Sequence, residues 1–440
     1  MTHSTHSLAW AAPVATAPLD AVVHLPGSKS LTNRELVLAA LADGPGTLHA
    51  PLHSRDSALM VDALRALGVG VEEVGEGPFG PDLRVTPGPL GSASIDCGLA
   101  GTVMRFLPIV AALAEGTVAF DGDPHARTRP NATTIDALRA LGVRVDDHGT
   151  GTMPFTVHGT GAVRGGELVV DASASSQFVS ALLLAAPRFA EGLTLRHAGA
   201  RLPSLPHVEM TLATLRARGV QVSSPEVGVW RVEPGPIAAA DVAIEPDLSN
   251  AAPFLAAAVV AGGRVTVAGW PATTTQVGAE LPALLTRLGA SVTIDGDRCT
   301  VDGGAGVAAT PLVGGTIDMA HAGELSPTIA ALGVFADAPL TIEGIGHTRG
   351  HETDRIDAIV ADLAALGGVA TGDADSITVQ PSALHGGTWA AYADHRIATA
   401  GALLGLAVDG VVVDDVGATA KTIPEFPELW HRMVAGTDAP

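Results

Sequence analysis

Cys97–Gly116 reads CGLAGTVMRFLPIVAALAEG: a glycine-bearing polar turn, a run of small and branched apolar residues, and a closing glycine. The apolar run is long enough for about three turns of helix. The same grammar recurs at Gly27 (GSKSLTNRELVLAALADG), Asp171 (DASASSQFVSALLLAAPRFAEG), Asp247 (DLSNAAPFLAAAVVAGG), Asp318 (DMAHAGELSPTIAALGVFADA) and Ala393 (ADHRIATAGALLGLAVDG). Taken in chain order, the six starts are 70, 74, 76, 71 and 75 residues apart. A fixed period over the whole chain is the mark of repeated structural units. Each unit also carries an amphipathic helix, expected at Asp56–Leu67, Thr134–Leu141, His207–Arg218, Ala279–Leu288 and Thr353–Leu366. Gly68, Gly142, Gly219, Gly289 and Gly367 follow them, where a left-handed residue ends a helix. Short β-branched strands come next, as at Val143–Val145 and Ser291–Ile294. The unit is therefore βαβαββ, in an α/β protein. Six such units are too large for single solenoid turns, and two globular domains of three copies each is the economical packing.

The 440 residues carry 25 Lys and Arg against 46 Asp and Glu, a net charge of −21, with 47% hydrophobic and 16% charged residues. That composition supports large cores and excludes a disordered chain. The acidic balance argues against a nucleic-acid or anionic-membrane binder, which would need a basic face. The longest apolar stretches, Ala251–Ala261 and Ile397–Val408, fall short of the ~18–20 residues that span a bilayer. No Lys or Arg precedes Lys29, so the start lacks the basic region of a signal peptide, and a cytoplasmic protein is expected. Cys97 and Cys299 form no CxxC pair and suggest neither a disulfide framework nor a zinc site. Lysine occurs only at Lys29 and Lys421, all other cations being Arg or His. A coding bias against Lys explains the pattern, and a site that needs a compact charge on a thin stem explains the two survivors.

The polar turns open the first helix of each unit. Helix starts carry unpaired N–H groups and a positive dipole end, which suit phosphate and carboxylate. If the copies are related by approximate symmetry, several starts converge, and an anion site is expected in the cleft between the domains. Pro26–Arg34 (PGSKSLTNR) looks like a Walker loop but lacks its upstream glycine; Lys29, Ser30 and Arg34 could grip an anion, against the plainer view of a capped helix. Gly101 and Thr102 precede Arg105, and Asp123–Pro130 (DPHARTRP) is a Pro-bounded basic loop where Arg129 is held extended. Its alternative is a solvated turn. Ser173, Ser175, Ser176 and Gln177 open an apolar helix, either as caps or as phosphate ligands. Glu324 and Glu352 are candidate acid and base, although Glu352 could simply face a helix dipole. His347 and His351 are four apart, but Gly350 lies between them without an HExxH pattern, so no metal is assigned. Asp394-His395-Arg396 and Ala418–Thr422 (ATAKT) complete the set.

PGSKSLTNR, GLAGTVMRF, the loop ending RTRP, SASSQF, RGHETDR, ADHR and GATAKTIPEFP, in that order from Pro26 to Pro427, together resemble the 5-enolpyruvylshikimate-3-phosphate synthase family. The resemblance implies an inside-out α/β barrel in each of two domains. The N-terminal strand would join the C-terminal half, giving domains of 1–27 plus 241–440 and of 28–240. It implies transfer of enolpyruvyl from phosphoenolpyruvate to the 5-hydroxyl of shikimate 3-phosphate, on the route to chorismate. By position, Lys29, Ser30, Arg34, Ser175, Ser176, Gln177, Ser204, Glu324 and His351 resemble the shikimate 3-phosphate contacts. Lys29, Gly101, Arg129, Gln177, Arg355, Arg396 and Lys421 resemble those to phosphoenolpyruvate. Glu324 matches the base for the 5-hydroxyl, Glu352 the group that moves protons at the enol methylene, and Lys29 lies between both substrates. A monomer acting on two small anions is expected, with no metal or organic cofactor and no nucleic-acid or membrane partner.

Several positions depart from the family's commoner residues. Leu99 stands for Asn, Phe106 for Pro, Glu324 for Asp, His351 for Lys, His347 for Asn and His207 for Tyr. The related UDP-N-acetylglucosamine enolpyruvyl transferases carry a reactive Cys on the loop matching His125–Arg129, which has none here, and a Lys-Asn pair where Lys29-Ser30 stands. A non-catalytic anion-binding scaffold would account for the repeats and basic loops, but not for Glu324 and Glu352.

Overall fold

A computed structural model of the chain describes residues 9–199, 202 and 204–436. The chain divides into two compact units, one of residues 26–245 and one of residues 1–25 with 246–440. We call the first the inserted unit and the second the parent unit.

The inserted unit holds α1 (Lys29–Ala40), α2 (Arg55–Ala66), α3 (Gly101–Ala111), α4 (Ala132–Ala140), α5 (Gln177–Ala185) and α6 (Leu205–Ala217). Its second repeat shows the whole plan. Strands Gly91–Asp96 and Glu115–Asp121 pair in parallel across α3; after α4, Arg144–Asp146 and Phe155–Thr160 close the sheet antiparallel. The third repeat copies it with Gly166–Val170, Leu193–His197, Val222–Glu226 and Val229–Val232. Helices α1, α3 and α5 pack on one another, with most of their residues buried. The sheets surround them and alternate buried with exposed positions, as in Asp82–Thr86. Helices are thus inside and sheets outside.

The parent unit holds α7 (Ala251–Ala261), α8 (Leu281–Arg287), α9 (Ser326–Leu332), α10 (Arg355–Ala365), α11 (His395–Gly405) and α12 (Phe426–Ala435). Here α7, α9 and α11 form the inner trio. Helix α7 is apolar on every side, which suits a helix enclosed all round, and its residues from Ala251 to Val260 are buried. Small side chains let the three backbones approach closely.

Two repeats borrow their first strand. In the inserted unit, Val242–Ala243 pairs in parallel with Gly46–His49, so the end of that unit completes its first sheet. In the parent unit, Leu19–Val23 pairs in parallel with Gly263–Ala268 and completes the fourth repeat. The pairing of Val242 and Ala243 is why residues 241–245 fall with the inserted unit, although the boundary expected at 240/241 gave them to its neighbour. The sixth repeat departs from the expected βαβαββ. After α12 no further strand follows among the described residues, and its sheet has three strands: Gly387–Trp389, Val411–Val413 and, from the other end of the chain, Trp10–Ala11.

The second helices lie where periodicity put them, apart from the fourth. There a 3-10 turn, Val277–Glu280, precedes a short α8 because Pro282 sits at the helix start. The glycines expected to end these helices all take positive φ, from 76° at Gly219 to 107° at Gly289.

Candidate functional site

In each unit the polar turns of all three repeats come together. In the inserted unit, Asn33 of α1 donates to the Thr102 hydroxyl of α3 at 2.7 Å. Arg34 is buried in α1 and donates to the Thr211 and Ser180 hydroxyls and to the Ser30 and His207 carbonyls, at 2.9 to 3.1 Å. Its guanidinium carbon lies 5.5 Å from the centre of the Phe106 ring. Arg34 thereby ties α1, α5 and α6 together. Lys29 opens α1 after the Ser28 cap, with its amine 3.5 Å from Asp56.

Gly101 begins α3 in the tightest part of this cluster. A Cβ built there would lie 3.1 Å from Gln177 Oε1 and 3.6 Å from an Arg129 nitrogen, so Gly101, Gln177 and Arg129 share one small space. Arg129 donates to the Leu99 carbonyl at 3.4 Å, while its buried Nε has no acceptor among the described residues. A guanidinium aimed across a helix start with a donor to spare suits an anion. Arg127, from the same basic loop, instead forks onto Asp121 at 2.7 and 2.8 Å at the surface. Ser175 accepts from the Gln177 N–H at 3.2 Å, and Ser176 is buried at the start of α5. Ser204 sits before α6 with φ of 54°, a conformation rare for a residue with a Cβ.

The parent unit gathers its residues around carboxylates. Ser249, just before α7, donates to Glu324 Oε1 at 2.6 Å; Arg396, in the first turn of α11, reaches Glu324 Oε2 at 3.2 Å. The fourth, fifth and sixth turns therefore meet on Glu324. Beside it, Glu352 receives the Lys421 amine at 2.7 Å on one oxygen and Arg355 at 3.1 Å on the other. Arg355 also forks onto Asp394 at 2.8 and 3.2 Å and donates to His351 Nδ1 at 3.1 Å. Because Arg355 can only donate, His351 Nδ1 must accept. Burial alone would weaken the charge on Arg355; Asp394, Glu352 and Glu324 outweigh it and raise its pKa. Glu352 and Glu324 keep 12% and 19% of their side chains exposed, enough for each to meet a ligand. The His347 and His351 rings stand 5.8 Å apart, edge to face. Gly323 is required beneath them, since a Cβ there would come within 2.6 Å of the His347 ring.

Of the candidate residues read from sequence, Gly101, Gln177, Arg129 and Arg34 meet in the first cluster and Glu324, Glu352, Arg355, Arg396, Lys421 and His351 in the second, whereas Arg127 turns to the surface and Ser173 is exposed. Three partners were not singled out there: Ser249, Asp56 and Asp394 in its role as the clamp on Arg355. Ser249 stands in the fourth turn at the place where the other turns carry their ligands, and that register was the signal available.

Comparison with known proteins places the chain in a family. Residues 14–430 match the family model for EPSP synthase (3-phosphoshikimate 1-carboxyvinyltransferase). A 3-phosphoshikimate 1-carboxyvinyltransferase from Kocuria rhizophila is 53% identical over 442 aligned residues, covering 99% of this chain and 98% of that one. Among solved structures, an EPSP synthase from Acinetobacter baumannii superposes with a TM-score of 0.80 at 22% identity, covering 97% of this chain and 98% of that one. An enolpyruvyl transferase from Streptomyces tendae gives 0.73 at 19% identity with the same coverage. The structures speak to the fold; the family match and the close relative, both nearly full length, establish that the chain belongs to the EPSP synthase family.

Proposed function

We propose that the two clusters divide the work of one reaction: transfer of the enolpyruvyl group of phosphoenolpyruvate to the 5-hydroxyl of shikimate 3-phosphate, with release of phosphate. This transfer is the activity of the family to which the chain belongs. The observation that carries this reading is the separate setting of the two glutamates within the parent unit. Glu352 is held by Lys421 and Arg355, Glu324 by Ser249 and Arg396.

Addition forms the bond from the 5-oxygen to C2 of phosphoenolpyruvate, and C3 gains a proton. Glu324 takes the hydroxyl proton, its oxygens oriented by Ser249 and Arg396. Glu352 supplies the proton to C3. Phosphoenolpyruvate brings a phosphate and a carboxylate that compete for Lys421, Arg355 and Arg396. As those cations turn to the ligand, Glu352 loses its counter-charges and becomes the better proton carrier. In elimination Glu352 recovers a proton from C3 as the C2–C3 double bond re-forms and the C2–oxygen bond to phosphate breaks, and the proton held on Glu324 passes to the departing phosphate or to solvent, restoring both glutamates. Gly101, Arg129 and Gln177 serve the phosphoenolpyruvate side. Lys29, Ser30, Arg34, Ser175, Ser176 and Ser204 serve shikimate 3-phosphate, and His351 meets it through its Nε2–H. The residues act in the cytoplasm on small anions, as a monomer.

The test is phosphate release from phosphoenolpyruvate with shikimate 3-phosphate as acceptor. Release should require that acceptor and should not occur with UDP-N-acetylglucosamine. Turnover with the nucleotide sugar alone would overturn the reading.

A further inference from the structure

The loop leading into α11 adopts a costly shape. Tyr392 and Ala393, consecutive and both bearing a Cβ, take φ of 52° and 54°. Carboxylates hold the chain there. Asp362 Oδ1, on α10, accepts from the Ala390 N–H at 3.2 Å and from the Tyr392 hydroxyl at 3.3 Å. Asp414 accepts from the Ala391 N–H at 2.7 Å, and the Asp394 N–H donates to the Ala391 carbonyl at 2.8 Å. Beyond the bend, Asp394 clamps Arg355 and caps α11 by accepting from the Arg396 N–H at 2.9 Å. Strain of this kind persists only when its surroundings over-determine it.

We propose that Asp362 is a positioning residue: through Ala390 and the Tyr392 hydroxyl it holds the left-handed bend that presents Asp394 to Arg355 and Arg396 to Glu324. Asp362 touches no substrate in this scheme. Its influence falls on the affinity for phosphoenolpyruvate, and the inference takes as given that Arg355 and Arg396 serve that ligand.

Burial favours the neutral form of the strut. Asp362 is buried, and its Oδ2 has no partner among the described residues. An ionised carboxylate with one bare oxygen is costly in such a place, whereas the neutral acid is not. Burial pushes the Asp362 carboxyl up to about 7 against the hydrogen bonds from Ala390 and Tyr392, which favour the carboxylate, and the negative charge of Asp414 adds to the rise. Tyr392 and Asp414 are the ionisable groups that bear on it. Among the other neighbours of α10, Arg349 is engaged by Asp354 and Asp357 at 2.6 and 2.9 Å. On α11, His395 stands 3.9 Å from Asp394, and Arg396 is on Glu324. Strands Val369–Gly372, Ser376–Gln380 and Gly387–Trp389, and helix α9, carry no ionisable side chain. As Asp362 ionises, repulsion from Asp414 and the demand for solvent loosen the bend.

The experiment measures kcat and KM for phosphoenolpyruvate from pH 6 to 9 in the wild type and in Asp362→Asn, Tyr392→Phe and Arg396→Ala. Asp362→Asn keeps the shape and the Oδ1 acceptor but cannot ionise. Wild-type KM should rise roughly three- to tenfold as pH passes 7, the scale of one buried charged acceptor left without a partner, while the Asp362→Asn profile lacks that rise. Tyr392→Phe should raise KM at every pH with kcat little changed. A wild-type rise in KM retained by Asp362→Asn overturns the inference, as does a Tyr392→Phe KM equal to that of the wild type. Arg396→Ala separates the two levels of argument. If it leaves KM unchanged, the assignment of Arg396 fails; if it raises KM while the other two variants behave as wild type, only the strut fails.

Discussion

The two clusters have the same scaffold and opposite chemistry. In each unit three inner helices begin together, and the candidate side chains come from their opening turns and from neighbouring loops, as with Arg129, Glu352 and Lys421. In the inserted unit two cations of the cluster meet neutral oxygens, Arg34 donating to two hydroxyls and two carbonyls and Arg129 to a carbonyl, while Lys29 lies 3.5 Å from Asp56. The parent unit pairs its cations with carboxylates: Lys421 with Glu352, Arg396 with Glu324, Arg355 with Asp394. A cation on neutral oxygens keeps its full charge for an arriving anion. A cation on a carboxylate must be exchanged, and the exchange changes what the carboxylate can do. On the proposed roles, one architecture serves holding or proton transfer according to what sits beside the positive charge.

The strongest way to break that comparison is at Glu352. Glu352→Gln should lower turnover by ~10²–10⁴-fold, the usual loss when a general acid–base is removed, and stop solvent deuterium entering C3 of phosphoenolpyruvate. Glu324→Gln should lower turnover on the same scale yet still bind shikimate 3-phosphate in calorimetric titration. Loss of binding with turnover kept at saturation would make Glu324 a positioning group instead.

Next in size is a change confined to the inserted unit. Glu35 and Arg218 form a buried pair at 2.6 Å; burial raises the Glu35 pKa, and Arg218 works against that shift. Glu35→Ala should cost about 3–5 kcal/mol in denaturant unfolding by stranding Arg218. A smaller cost, or one seen equally in probes of both units, would show the pair to be dispensable.

The two lysines come third. Lys29→Arg and Lys421→Arg keep the charge but replace a point by a fork, and each should lower kcat/KM about 10–100-fold through misplacement. Values near wild type for both would leave coding bias as the whole account of their survival.

The smallest effect sharpens the comparison by pH. Arg139 bonds Asp147 in the inserted unit and brings its carboxyl down to about 2, with the Gly149 and Gly151 N–H groups assisting. That lowered value gives stability present above the unfolded carboxyl range and lost as pH falls through about 2. Asp362, raised to about 7, has the opposite sign: its contribution is present below the unfolded range and lost as pH rises through 7. Hydrogen exchange, corrected for intrinsic rates, should find the Gly149 and Gly151 amides losing protection in acid and the Ala390 amide losing it as pH rises from the unfolded carboxyl range to about 7. The same pH response in both loops would defeat this assignment.

Much of this was legible in the sequence because repeated folds repeat their punctuation. The six turn-and-helix phrases marked the inner helices, and Gly68 through Gly367 marked the ends of the outer ones. Glu324, Glu352 and the flanking cations stood out as charges in turns otherwise made of small residues. Other features depended on contacts distant in sequence. Arg34 looked like a ligand from its spacing, and its ties to Thr211 and Ser180 appear only once α5 and α6 pack against α1. Asp362, within the helix expected at Thr353–Leu366, was not singled out, and its bonds to Ala390 and Tyr392 exist only once the loop at 390–393 folds over it. Pro282 shortened α8 locally, where the apolar period alone extended the helix back to Ala279.

The borrowed strands bear on how the chain is made. A ribosome delivers Leu19–Val23 early, but their partner Gly263–Ala268 lies 244 residues later, counting from Leu19 to Gly263. The inserted unit can finish as soon as Val242 and Ala243 emerge, since its own sheets need nothing beyond Glu245. Through that interval the first strand of the parent unit waits unpaired, an exposed edge beside a domain already folded. Synthesis thus imposes an order, inserted unit first, and leaves a window in which the waiting segment is open to chaperones or to the same strand of a neighbouring nascent chain.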